Sequence, residues 1–176
     1  VRLLTPEYAS PEEVTGAAIT TLSDVYSLGV ILYELLTGHR PYRVVSAAMH
    51  EMARVIAEVE PTRPSEVVTT TESSSGSAPG ITPVAVSAVR EGDPIRLRKR
   101  LVGDLDAIVL MALQKEPECR YGSVEAFADD LQRHLDNKPI TAREASPWDR
   151  ARRFCRRNPG AVAAGLLVVM SLLIGG

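Results

Sequence analysis

The groups in this 176-residue sequence with chemistry to offer fall in three short stretches. Residues 5–12 read Thr-Pro-Glu-Tyr-Ala-Ser-Pro-Glu. Asp24 opens a long apolar run, where the positive end of a helix dipole favours a carboxylate. Leu113-Gln-Lys-Glu-Pro-Glu-Cys-Arg120 carries a guanidinium just past a proline. Metal chemistry is a poor fit. His39, His50, His134, Cys119 and Cys155 are scattered, with no three or four ligands at recognisable spacing. No Cys-x-x-Cys occurs, so both cysteines read as structural.

The elements that must position these groups read as helices. Lys and Arg number 20 against 22 Asp and Glu, a net of −2, which excludes a basic nucleic-acid binder on bulk charge. With 45% hydrophobic residues and 5% aromatic, the chain is globular and aliphatic, of a length for one domain plus a tail. From Ser23 to Thr37 only Ser27 and Glu34 interrupt the apolar stretch strongly beyond Val25. Thr20, Thr21, Ser23 and Asp24 offer cap chemistry, and Gly38 suits the position after a helix end. A helix apolar nearly all round is a buried one, and the run is too long for a strand. Three one-faced helices follow: Met52, Val55, Ile56, Val59; then Leu105, Ile108, Val109, Ala112, Leu113 after Gly103-Asp104; then Val124, Phe127, Ala128, Leu131, Leu135 with Ser123 as N-cap. The expected fold is mainly α, packed on the central buried helix.

Between the second and third of these four helices the composition shifts. Thr69 to Gly92 is rich in Thr, Ser, Gly and Pro, and Arg96, Arg98, Lys99 and Arg100 close the stretch. The expectation is a mobile insertion over about residues 69–100, its basic run a solvated face or a contact for anionic lipid. Residues 1–148 carry a net −6, whereas 149–176 carry +4 through Arg150, Arg152, Arg153, Arg156 and Arg157. The uncharged run 160–176 follows directly. A span of the hydrocarbon core takes about 20 apolar residues, and arginines mark its cytoplasmic flank. A basic juxtamembrane linker over 141–159, a transmembrane helix over 160–176 and a cytoplasmic main part are therefore expected. The run lies at the wrong end for a signal peptide.

Ser10-Pro11-Glu12 is a variant of the Ala-Pro-Glu element of protein kinases. Asp24 follows at the family's distance, and Leu113 to Arg120 matches its Leu-x-x-Asp-Pro-x-x-Arg turn with Glu116 for Asp. Over residues 1–135, the insertion excepted, the chain resembles the C-terminal half of the large lobe of a eukaryotic-type bacterial Ser/Thr protein kinase, of the membrane-anchored kind. The resemblance implies a partial kinase domain over 1–140. It implies a buried ion pair between Glu12 and Arg120, and an anchoring role for Asp24 on backbone N–H groups of the catalytic loop. It also implies a substrate-docking loop of Thr5, Pro6, Glu7 and Tyr8, Thr5 contacting the catalytic Asp and the others lining the pocket after the phosphoacceptor. No Pro-x-x-Trp pattern of tyrosine kinases occurs there, which favours Ser/Thr specificity, while Leu4 replaces a common Gly and bears on the local turn. Tyr26 sits where an aromatic is common in the core helix, as packing.

Kinase chemistry needs a glycine-rich loop, a strand Lys, His-Arg-Asp, an Asn and Asp-Phe-Gly. None occurs here, and Lys99, Lys115 and Lys138 lie in no Val-Ala-Ile-Lys context. ATP and Mg2+ are thus expected for a parent chain carrying these elements before Val1, with this stretch alone inactive. The implied partners are protein Ser/Thr substrates, and lipid through the C-terminal helix; nucleic acid is not expected. Dimerisation of the parent stays open, as do two other readings, a pseudokinase or a membrane-anchored helical scaffold.

Overall fold

The computed structural model describes residues 6–42, 48–70 and 82–144. Thr5, Cys155, the linker beyond Glu144 and the apolar run 160–176 lie outside the described residues. The chain divides into one unit from Val1 to Arg143 and a second from Glu144 to Gly176. Among the described residues all regular structure is helical: after a 3-10 turn, Pro6–Tyr8, come α1 Pro11–Thr15, α2 Thr21–Thr37, α3 Met49–Glu58, α4 Pro64–Val67, α5 Pro83–Ala88, α6 Pro94–Leu101, α7 Asp104–Ala112, α8 Val124–Leu135 and α9 Thr141–Glu144. None of these helices is long and apolar enough to cross a membrane.

Helix α2 is central because two apolar clusters meet on it. Tyr26, Val30 and Tyr33 pack with Val67, Val68, Val86, Leu97, Leu101, Val109 and Leu113. Val25, on the next face, joins Ile108, Ala112, Tyr121, Phe127 and Ile140. Thr20 caps the start, its hydroxyl accepting from the Leu22 N–H and paired in a capping box with Ser23. Gly38 ends the helix at φ 70°, a left-handed conformation that glycine adopts without Cβ strain.

One face of α2 departs from the all-buried expectation. Asp24, Ile31 and Leu35 recur at i, i+7, i+11 and are exposed, Ile31 by 42% and Leu35 by 68%. Burial of an apolar helix is set by what packs on it, and no described element covers this stripe.

The expected mobile insertion is corrected in its second half. Residues 83–88 and 94–101 are the helices α5 and α6, and Val86, Leu97 and Leu101 enter the core. Short caps explain it: Thr82 and Asp93 each accept a backbone N–H three residues on, and Pro83 and Pro94 stand at the first helical position. Two expected stripe residues also fall outside the core. Val59 is the exposed C-cap of α3 rather than part of it, and Leu135 is exposed in the last turn of α8.

Helix α2 lies tight against α7 at Gly29. A Cβ built there would lie 2.8 Å from the Ala112 Cβ and 3.3 Å from Leu113 Cδ2. Alanine gains about 1 kcal/mol over glycine as a helix former. Overpacking a well-filled core costs about 1–3 kcal/mol, and the Ala112 methyl has no rotamer by which to yield. Gly29→Ala should therefore lower the melting temperature in a thermal scan; a rise would show that α2 and α7 can separate without cost.

Candidate functional site

Ser10-Pro11-Glu12 is a helix start. Ser10 is the N-cap of α1, and Pro11 follows in the first helical position. Ser10 Oγ accepts from the Glu13 N–H at 3.4 Å, and the Glu13 carboxylate accepts from the Ser10 N–H at 2.8 Å. This capping box gives the serine a function that alanine in the family's usual element lacks. Glu13, missed in the sequence, was legible as the third residue after a serine.

The cap fixes Glu12 in the first turn, pointing inward. Glu12 and Arg120 are 5% and 4% exposed, and they meet across 108 positions. Arg120 Nη1 donates to Glu12 Oε1 and Nη2 to Oε2, both at 2.7 Å, a bidentate fork. Ser23 Oγ donates to the same Oε1 at 2.6 Å, tying the pair to the first turn of α2. The rest of the guanidinium is fully used: Nε donates to the Gln114 carbonyl, Nη1 also to Leu22 and Nη2 also to Lys115. An arginine has five N–H donors, and each has an acceptor here. The charge also lies 4.9 Å from the centroid of the Tyr26 ring.

Burial alone pushes the Glu12 carboxyl up, but the hydrogen bonds from Arg120 and Ser23 outweigh it and hold the group at about 2. The network extends outward: Tyr26 Oη donates to Tyr42 Oη at 2.9 Å, and Lys115 Nζ donates to Tyr42 Oη and to the Ile56 carbonyl of α3. Burial raises both tyrosines well above the ordinary phenol range. Glu116, standing for the usual Asp, forms no side-chain cap on the turn Pro117–Cys119; the turn closes through the backbone instead.

Of the expected docking loop, Glu7 lies 3.3 Å from Arg40, and Tyr8 is held twice by α2. Tyr8 Oη donates to Glu34 Oε2 at 2.9 Å, and its carbonyl accepts from Ser27 Oγ at 2.8 Å. Pro6 begins the 3-10 turn. Ser27 and Glu34, the polar interruptions of the apolar run, are thus the residues that seat Tyr8. Asp24 is brought into none of this; it lies exposed in the first turn of α2. No described side chains gather as three metal-ligand candidates, with His39 buried and His134 Nδ1 3.5 Å from Asp104.

Two further buried carboxylates were missed. Asp106 accepts from the Ser65 N–H and hydroxyl, at 2.9 and 2.6 Å. Asp130 accepts from the backbone N–H groups of Thr141 and Ala142 and from Tyr121 Oη, at 2.8, 2.8 and 2.9 Å.

A serine-capped Glu buried against an Arg more than a hundred residues on, both fastened to an apolar helix, belongs with a known class. The chain is a member of the protein kinase domain family, whose sequence model matches residues 1–132. Among curated relatives it is similar to the serine/threonine-protein kinase PknB of Mycobacterium tuberculosis, 36% identical over 141 residues, covering 78% of this chain and 17% of that protein. PknB of Mycobacterium leprae is 34% identical over 161 residues, covering 89% and 20%. Pkn1 of Myxococcus xanthus is 33% identical over 144 residues, covering 81% and 16%. The chain spans a fifth or less of the length of these relatives.

Removing Arg120 strands a buried carboxylate, at a cost of roughly 3–5 kcal/mol. Arg120→Ala should melt well below the parent in calorimetry, with new protease cleavage around Glu12; unchanged melting and cleavage would refute the clamp. The acid dependence has a definite sign. The folded carboxyl sits at about 2 against 4.5 unfolded, so its stabilisation is complete above pH 4.5 and is lost as pH falls towards 2. Glu12→Gln should be less stable at pH 7 and should lose less of its stability between pH 5 and pH 2. Parallel acid-unfolding curves for the two proteins would contradict it.

Proposed function

We propose that this chain is the late-helix part of the large lobe of a membrane-anchored Ser/Thr protein kinase, which transfers the ATP γ-phosphate to Ser and Thr hydroxyls of proteins. The observation that carries this reading is the bidentate Glu12–Arg120 pair, which fastens the start of α1, the first turn of α2 and the Pro117–Cys119 turn together. Its function would be to hold the loop of Thr5, Pro6, Glu7 and Tyr8 where a substrate chain docks. The exposed stripe of Asp24, Ile31 and Leu35 supports the same reading. A carboxylate above two uncovered apolar side chains suits an incoming backbone segment, its N–H groups accepted by Asp24 and its side chains on Ile31 and Leu35. The kinase relatives, all described as serine/threonine-protein kinases, support the hydroxyl class.

The residues present do not fit ATP and Mg2+. The sequence has no glycine-rich phosphate loop, no His-Arg-Asp and no Asp-Phe-Gly, and the described residues bring no three acidic or imidazole ligands together. Phosphoryl transfer would rest on a preceding segment of a longer parent. The anchor reading rests on the five arginines before the uncharged run 160–176.

Isothermal titration of the 176-residue chain with ATP and MgCl2 should show no binding, whereas the parent frame extended to a His-Arg-Asp segment should bind nucleotide and phosphorylate Ser or Thr. Micromolar, Mg2+-dependent binding by the chain alone would refute the division of labour. An extended frame without His-Arg-Asp that fails to phosphorylate would replace the kinase by a scaffold.

A further inference from the structure

Helix α6 carries a surface that the kinase reading does not use. Its buried side is Leu97 and Leu101, seated in the core. The opposite side bears Ile95, Lys99 and Val102 at i, i+4, i+7, with Ile95 and Val102 exposed by 63% and 53%. Arg96, Arg98 and Arg100 flank this line and are exposed too. Arg100 is partly neutralised by Glu91 at 3.1 Å; Arg96, Arg98 and Lys99 make no ion pair among the described residues. Three uncompensated cations around two exposed aliphatic side chains make a surface with both components of interfacial binding, apolar contact and attraction to negative charge.

The position of this surface favours one occupant. α6 ends at Leu101, and Asp104, three residues on, is bound at 2.8 Å by Arg143 of α9, the last residue of the first unit. The basic face therefore ends beside the point where the chain leaves the unit. From there about 16 residues lead to the apolar run at Gly160, through the cluster Arg150 to Arg157. That length of chain reaches at most about 55 Å, so a bilayer entered by the run lies within that distance of residue 144.

We propose that α6 is a second membrane contact: Arg96, Arg98 and Lys99 bind the anionic headgroups of the bilayer that residues 160–176 enter, with Ile95 and Val102 touching the interface. The inference rests on the anchor reading above, and its test separates the two. The full 176-residue chain is reconstituted into bilayers of phosphatidylcholine alone or mixed with phosphatidylserine, and into the mixed bilayer as the triple variant Arg96→Glu, Arg98→Glu, Lys99→Glu. Integration is read by resistance to alkaline carbonate, and docking by amide hydrogen exchange across residues 94–102.

On phosphatidylserine bilayers the α6 amides should exchange roughly tenfold more slowly than on phosphatidylcholine, from clustered cations at an anionic surface. The protection should vanish at 1 M salt, where the screening length falls to about 3 Å. The triple variant, altered only at exposed positions, should integrate and melt like the parent yet lose the protection. Carbonate-resistant chain with equal α6 exchange on both bilayers overturns the second contact and keeps the anchor. Carbonate release with α6 still protected on phosphatidylserine vesicles removes the anchor and keeps the lipid face, and release without protection overturns both. Protection that appears with added polyglutamate but not with phosphatidylserine assigns the face to acidic protein and overturns the proposal.

Discussion

The described unit depends on the satisfaction of a single buried guanidinium. Taking Arg120 and Glu12 out of water costs several kcal/mol for each ion, and their attraction repays it only with good geometry and full hydrogen bonding. Both conditions hold. The fork is bidentate, Ser23 adds a third bond to the carboxylate, and the remaining Arg120 donors end on the Gln114, Leu22 and Lys115 carbonyls. What the pair contributes is definition more than net stability. Any displacement of α1, of the first turn of α2 or of the Pro117–Cys119 turn leaves a buried charge or carbonyl without its partner. The position of Tyr8 on Ser27 and Glu34 follows, because the 3-10 turn that carries it runs straight into the capped start of α1.

The other two buried carboxylates act on the same principle at smaller scale. Helices α4 and α9 have four residues each, too few to hold themselves together, since nucleation fixes several residues for one hydrogen bond. At the start of α4, Arg63 provides no side-chain cap. Asp106, from the first turn of α7, takes the Ser65 N–H instead, and Asp130, from α8, takes the first two N–H groups of α9. Both acids serve as caps supplied from a distant part of the chain.

Legibility in the sequence followed the range of the interaction. The caps and extent of α2 could be read from Thr20, Ser23 and Gly38 because those interactions span three or four residues. Ser123 was readable as the cap of α8 for the same reason. The contact of Glu12 with Arg120 has no local signature; it was reached only through resemblance to a family. Asp106 and Asp130 were passed over, since an acid on an amphipathic helix ordinarily faces water and its burial depends on a partner that spacing does not reveal. Helices α5 and α6 are hidden by composition: the Thr-, Ser-, Gly- and Pro-rich stretch from Thr69 to Gly92 reads as mobile chain, although Val86, Leu97 and Leu101 enter the core. Their Thr-Pro and Asp-Pro starts were the available sign. Ile31 and Leu35 show the converse limit: apolarity says what a residue can pack against and not whether the neighbour is present.

The arrangement around Asp130 has a mechanical consequence. A pull arriving along the backbone from residue 144 first meets α9, held by the Thr141 and Ala142 N–H bonds to Asp130 and by Arg143 on Asp104. Tension is thereby divided between α8 and the start of α7, both packed on α2, before the end of α8 can unravel. Asp130 works as a strain relief, so tugging at the tail loads the helices packed on α2 instead of peeling the edge of the unit.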